Sequence, residues 1–110
     1  MKIIFQMVIA GTFSMAVVAS ALTEGEGQCV AGALKSKVER NINFAISSCR
    51  GVTDGEGICI AAALENRVED NVMFAKSSCR GATKGQALCV AGALASGVET
   101  SLMFALSSCR

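Results

Sequence analysis

The chain repeats itself three times. The consecutive 30-residue segments 21–50, 51–80 and 81–110 have the same residue at 14 positions. A period of this length is typical of tandem supersecondary units, each of which supplies one copy of the same local structure. The repetition therefore predicts a single domain built from three similar units, here called repeats 1, 2 and 3.

Each repeat has the residue pattern of an α-helix. In repeat 1, apolar residues recur every three or four positions and line one helical face. These residues are Val30, Leu34, Val38, Ile42, Ala45 and Cys49. Alanine and leucine favour helix, and the alternation typical of strands is absent. The predicted fold is all-α, with three tandem helical repeats forming a small antiparallel helical bundle stapled by disulfides.

The junctions between repeats carry helix-end signals. Gly51 and Gly81 suit the left-handed conformation that often follows a helix. Thr53 and Glu56 have the spacing of a capping box, which marks the start of the next helix. The other two repeats have Thr23 with Glu26 and Thr83 with Gln86. Such short connections predict antiparallel neighbouring helices.

Two helical arrangements fit the interior of a repeat. The apolar stripe runs without a gap and favours one continuous helix of about 25 residues, roughly 38 Å long. A second capping-box pattern at 36–39, 66–69 and 96–99 instead indicates a hairpin of two short helices. Phe44 supports the hairpin, because it lies roughly 120° from the centre of the apolar face of an unbroken helix. We favour the continuous helix.

The six cysteines pair differently in the two arrangements. Continuous helices favour Cys49–Cys59 and Cys79–Cys89, with Cys29 and Cys109 free or joining chains head to tail. Hairpins favour pairs inside each repeat, namely Cys29–Cys49, Cys59–Cys79 and Cys89–Cys109. Each bridge contributes roughly 2–4 kcal/mol of stability, which a domain this small needs. The sequence leaves both schemes open.

Residues 1–21 have the features of a secretory signal peptide. Lys2 precedes a long apolar run, and Ala19-Ser20-Ala21 is a small-x-small cleavage site. Cleavage after Ala21 would leave 22–110 as the helical repeat domain. We therefore expect a secreted, extracellular protein, in which cysteines form disulfides by default.

Composition argues against several function classes. Beyond the leader the chain has nine acidic and nine basic residues, and this zero net charge favours neither nucleic acid nor an anionic membrane as partner. The chain has no histidine, the commonest general base and zinc ligand. The recurring Glu39, Glu69 and Glu99 are explained as capping or surface residues. We expect no enzyme, no cofactor and no metal site.

One group of residues is a candidate contact surface. Around Met73-Phe74 and Met103-Phe104 a helix would be apolar on more than one face. Core filling is the ordinary explanation, and a flexible apolar surface for a partner is the functional one. The candidate contact residues are Phe44, Met73, Phe74, Met103 and Phe104.

Together these features predict a secreted, non-enzymatic binding or structural protein that acts through an amphipathic helical repeat surface. Its partner would be an extracellular protein or a second copy of the chain. The alternatives are a membrane-active defence or venom-type peptide and a carrier of small apolar ligands. Zero net charge counts against the usual cationic mechanism of the first.

The leader generates a direct prediction. When the full chain is expressed through an oxidising secretory pathway, the released protein should begin at Leu22. Intact mass and N-terminal sequencing measure this, and a released protein that retains Met1 would contradict it.

Overall fold

The computed structural model describes residues 22–110, which form six helices and no strands. Every repeat supplies one long and one short helix. In chain order they are α1 (Glu24–Lys35), α2 (Ile42–Ser48), α3 (Asp54–Glu65), α4 (Val72–Ser78), α5 (Lys84–Ala95) and α6 (Leu102–Ser108). The predicted all-α fold of three helical repeats is confirmed. The preference for one continuous helix per repeat is wrong, since each repeat is a helical hairpin.

The long helices end where the backbone turns left-handed. Lys37, Arg67 and Gly97 have φ angles of 66°, 62° and 79°. Beyond this turn the N–H of Glu39 donates to the carbonyl of Ala33 at 3.1 Å, so the chain folds back over the helix end. A non-glycine residue adopts such a φ at a cost, which only repeat 3 avoids.

The second capping-box pattern does not start the short helices. Ser36 caps the end of α1, and its hydroxyl donates to the carbonyl of Ala33. The N-cap of the short helix α2 is Asn41, five residues later, whose Oδ1 accepts the N–H groups of Asn43 and Phe44 at 2.9 and 3.1 Å. The hairpin was therefore among the predicted alternatives, but its second helix starts later than expected.

The junctions between repeats match their predicted conformation. Gly51 and Gly81 have φ angles of 84° and 78°. Complete capping boxes form at Thr23 and Thr53. At Thr83 the box is half formed, because Gln86 Nε2 donates to the carbonyl of Leu106 instead.

Three disulfides close the hairpins. They join Cys29 to Cys49, Cys59 to Cys79 and Cys89 to Cys109, with Cα–Cα distances of 5.7, 5.8 and 5.8 Å. Each links the middle of a long helix to the end of the antiparallel short helix. The scheme with bridges 49–59 and 79–89 is wrong, because folding back brings the two cysteines of one repeat together. All six cysteines are paired.

Glycines allow the long helices to pack unusually closely. A Cβ on Gly25 would overlap the carbonyl oxygen of Thr53, and a Cβ on Gly32 would lie 2.6 Å from the Cα of Ala61. A Cβ on Gly55 would in turn overlap the carbonyl oxygen of Ala82. The offset of about one repeat in each pair shows that α1, α3 and α5 stack side by side in parallel. The antiparallel packing lies between the long and short helices.

The core lies between the long-helix layer and the short-helix layer. Its largest fully buried side chains are Ile60, Leu64 and Val90, together with cysteines of the first two bridges. Ala45, Ala75 and Ala105 fill the matching position in each short helix. Small residues and disulfides thus provide much of the interior.

The stack generates a prediction at two glycines of equivalent repeat position. Gly25→Ala should lower the free energy of unfolding by roughly 1–3 kcal/mol, because the added methyl group overlaps repeat 2. Gly85→Ala meets open space and should leave stability unchanged or raise it by up to about 1 kcal/mol. Denaturant unfolding at low protein concentration, followed by circular dichroism with disulfides intact, measures both. Equal losses in the two variants would contradict the close-packing explanation.

Candidate functional site

The candidate contact residues lie on the surface. Phe44, Phe74 and Phe104 are 63%, 64% and 66% exposed, and Met73 and Met103 are 54% and 60% exposed. All five lie in the first turn of a short helix. They form a row along the short-helix layer, here called the Phe–Met row: Phe44, Met73, Phe74, Met103 and Phe104. The alternative explanation, core filling, does not hold for these side chains.

Local structure explains why phenylalanine points outward. In α2 the buried positions are Ala45 and, at the helix end, Cys49, which are four residues apart and share one helical face. Phe44 precedes Ala45 by one residue, about 100° around the helix, and so leaves that face. The same frame holds in α4 and α6, where Ala75 and Ala105 are buried. Hairpin formation therefore resets the helical phase and exposes the aromatic ring.

The Phe–Met row is regular and rigidly supported. Each short helix is tied to its long helix by a disulfide. Large apolar side chains exposed at the same position of successive repeats are candidates for a contact site.

A polar cleft lies at the repeat junctions on another part of the surface. It has a volume of about 360 Å³ and is lined by Arg50, Gly51, Glu56, Lys76 and Arg80. Lys76 Nζ donates to the carbonyl oxygens of Ser48 and Arg50 at 3.1 and 2.9 Å, so it ties repeat 2 to the end of α2. Sequence reasoning missed this contact; the signal was a lysine where the other repeats have Ile46 and Leu106.

Two carboxylates join consecutive repeats at these junctions. Gly51 donates its N–H to Glu26 Oε2 at 2.6 Å and Thr23 donates to Oε1 at 2.9 Å, and these bonds lower the pKa of Glu26. Burial acts to raise the pKa of Glu56, but the N–H groups of Gly81 and Thr53 outweigh it and the pKa is lowered. Each carboxylate thus links a helix start to the next repeat.

The recurring glutamates and two of the arginines occupy equivalent positions in their repeats. Glu39, Glu69 and Glu99 lie one per repeat in the connections that end the long helices. Arg50 and Arg80 each follow a cysteine that is disulfide-bonded, so neither adjoins a thiol that could react. Within 22–110, no group of three or more Cys, Asp or Glu residues could hold a metal ion. No helix in this range is long and apolar enough to cross a membrane.

Comparison with known proteins finds no relative: no family model, no curated protein and no solved structure matches the chain. Function must therefore be inferred from the surfaces described above.

The junction carboxylates predict a pH dependence. Both have folded-state pKa values below their ordinary value of 4.5, so their contribution is complete above that pH and is lost as the pH falls through the folded-state values. Unfolding free energy should fall from pH 5 towards pH 2, and Glu26→Gln with Glu56→Gln should flatten this decline. Glu65→Gln, at the exposed end of α3, is the control. If it flattens the curve equally, the junction carboxylates are not the source.

Proposed function

We propose that this is a secreted, non-enzymatic binding protein that presents the Phe–Met row to an apolar surface of a partner protein. The observation that carries the proposal is the exposure of Phe44, Phe74 and Phe104, each more than 60% accessible, at one repeat position. Secretion is supported by the leader-like residues 1–21 and by three disulfides in a small domain.

Energetics favour a protein partner for this surface. Burying one large apolar side chain contributes about 1.5–3 kcal/mol, so a few such rings can supply much of a micromolar affinity. Ring positions held by helices and disulfides lose little conformational entropy on binding. Methionine beside phenylalanine adapts to irregular partner surfaces.

The two alternatives receive less support from the surfaces. A membrane-active peptide would need attraction to anionic lipid, whereas 22–110 carries equal numbers of acidic and basic residues. A carrier of small apolar ligands would need an apolar cavity, and the cleft described above, which is lined by charged residues and glycine, does not supply one.

The test compares a variant of the row with a control variant that removes an exposed apolar group elsewhere. Phe74→Ser with Phe104→Ser changes the Phe–Met row, whereas Leu88→Ser changes a side chain that is 57% exposed and lies outside the row. Both should keep the thermal stability of the original protein, since each replaced side chain is largely in water. Extracellular proteins of the source organism are captured on each and quantified by mass spectrometry.

We expect at least one captured protein to be retained by the original protein and by the control, and to drop tenfold or more on the row variant. Its affinity is then measured with purified components. Equal capture on all three proteins would overturn the proposal. Dye release from vesicles, or saturable binding of a fluorescent fatty acid, would instead favour the membrane-active or carrier alternative.

A further inference from the structure

The two ends of the helix stack expose surfaces that are buried between repeats. At the C-terminal end, Gly85, Cys89 and Gly92 are exposed, although Gly25, Cys29 and Gly32 at the same positions of repeat 1 are buried. Val98 is 83% exposed, while its counterparts Val38 and Val68 pack against the core. The C-terminal end surface is defined as Gly85, Cys89, Gly92, Ser96 and Val98.

The opposite end shows the complementary pattern. Ala31 and Ile42 are exposed, and Gly27 and Leu34 are half-buried. Their counterparts in repeat 2 are all buried: Gly57, Ala61, Leu64 and Val72. Of these, Gly57 and Ala61 lie against Gly25 and Gly32 of repeat 1. The N-terminal end surface is defined as Gly27, Ala31, Leu34 and Ile42. Each end therefore carries one half of the interface that the chain already forms internally.

Two residue pairs at the end surfaces match pairs that pack between repeats 1 and 2. Between repeats 1 and 2, Gly25 meets Gly57, and Gly32 meets Ala61. If the stack continued from one chain to the next, Gly85 would meet Gly27 and Gly92 would meet Ala31. The pairs are again glycine with glycine and glycine with alanine, so the same close helix approach is sterically allowed.

Polar contacts across the first interface also have equivalents at the ends. The N–H of Gly25 donates to Asp54 Oδ1 at 2.9 Å, and Arg67 Nη1 donates to the carbonyl of Ser36 at 3.1 Å. On the N-terminal end a carboxylate, Glu24, holds the position of Asp54, and Lys37 holds that of Arg67. Repeat 3 has Lys84 and Gly97 at these positions, which supply neither group. A contact between the two ends could therefore form both polar contacts seen between repeats 1 and 2. The interface between repeats 2 and 3 lacks the side chains for either of them.

We propose that the C-terminal end surface of one molecule packs on the N-terminal end surface of a second copy and continues the helix stack from chain to chain. Such a contact is heterologous, so it extends into linear assemblies rather than closing as a dimer. Solenoid proteins that remain monomeric cover their terminal repeats with polar residues, whereas the residues that define the two end surfaces here are apolar or small. The proposal concerns residues 22–110 and does not depend on the function proposed for the Phe–Met row.

Single-end variants provide the test. Gly85→Ala adds a methyl group that meets open space in the monomer but would overlap a stacked copy, as Gly25 shows. Ala31→Glu places a charge on the opposite end. The control is Ala95→Glu, at a position exposed in all three repeats and occupied by glutamate in repeat 2. Mass spectrometry first establishes that each secreted protein begins at Leu22 and has no free thiol.

Sedimentation from about 1 µM to 1 mM then gives the assembly size. The original protein and Ala95→Glu should grow beyond dimers with concentration, whereas Gly85→Ala and Ala31→Glu should associate at least tenfold more weakly. An equimolar mixture of the two blocked variants should form dimers and nothing larger, because each supplies one intact end. A monomeric original protein, or a mixture that forms no dimer, would overturn the proposal. Phe74→Ser with Phe104→Ser should assemble normally, which separates this result from the function of the row.

Discussion

The close contact between consecutive long helices is the constraint on which the rest of this structure depends. Gly25 and Gly55 lie so near the next repeat that a single methyl group would overlap backbone atoms. This contact sets the distance and register of α1, α3 and α5, and through the hairpins it also sets the position of the short helices. Glycine lowers the stability of a helix. Here it also allows the backbones of neighbouring long helices to come into close contact.

The interior shows how so small a domain remains folded. Alanine occupies many of the buried positions, and few large side chains are fully buried. A core of this kind buries limited apolar surface, so covalent closure of each hairpin compensates by restricting the unfolded chain. The bridges also have a geometric role, since they hold the end of each short helix against the middle of a long helix.

Repetition converts one local structure into extended surfaces. The phenylalanine that lies off the core face of each short helix occurs once per repeat. The stacked repeats therefore expose three such rings. The same repetition leaves two end surfaces whose equivalents in repeats 1 and 2 pack against one another within the chain. The Phe–Met row and the two end surfaces consist of different residues, so the proposed partner binding and the proposed stacking of chains are compatible.

Much of the architecture could be predicted from local signals. The three units, the helical content, the left-handed Gly51 and Gly81 and the capping boxes at Thr23 and Thr53 depend on residues close in sequence. The hairpin was predicted only as the less favoured alternative, because Val38 continues the apolar stripe through the connection. The left-handed turn at the break lies at Gly97 in repeat 3 but at Lys37 and Arg67 in the other repeats, which are residue types that do not mark such a turn.

The sequence by itself determined the repeats and the helix ends, because capping and turn conformations are settled within a few residues. Tertiary structure decided the rest: the disulfide pairing, the exposure of Phe44 and its counterparts, and the use of Gly25 and Gly55 as contact points. Each of these depends on which surfaces meet after the chain folds back, and residues about 20 to 30 positions apart then become neighbours. Local conformational preferences do not determine these long-range contacts, because the contacts depend on how the long helices pack.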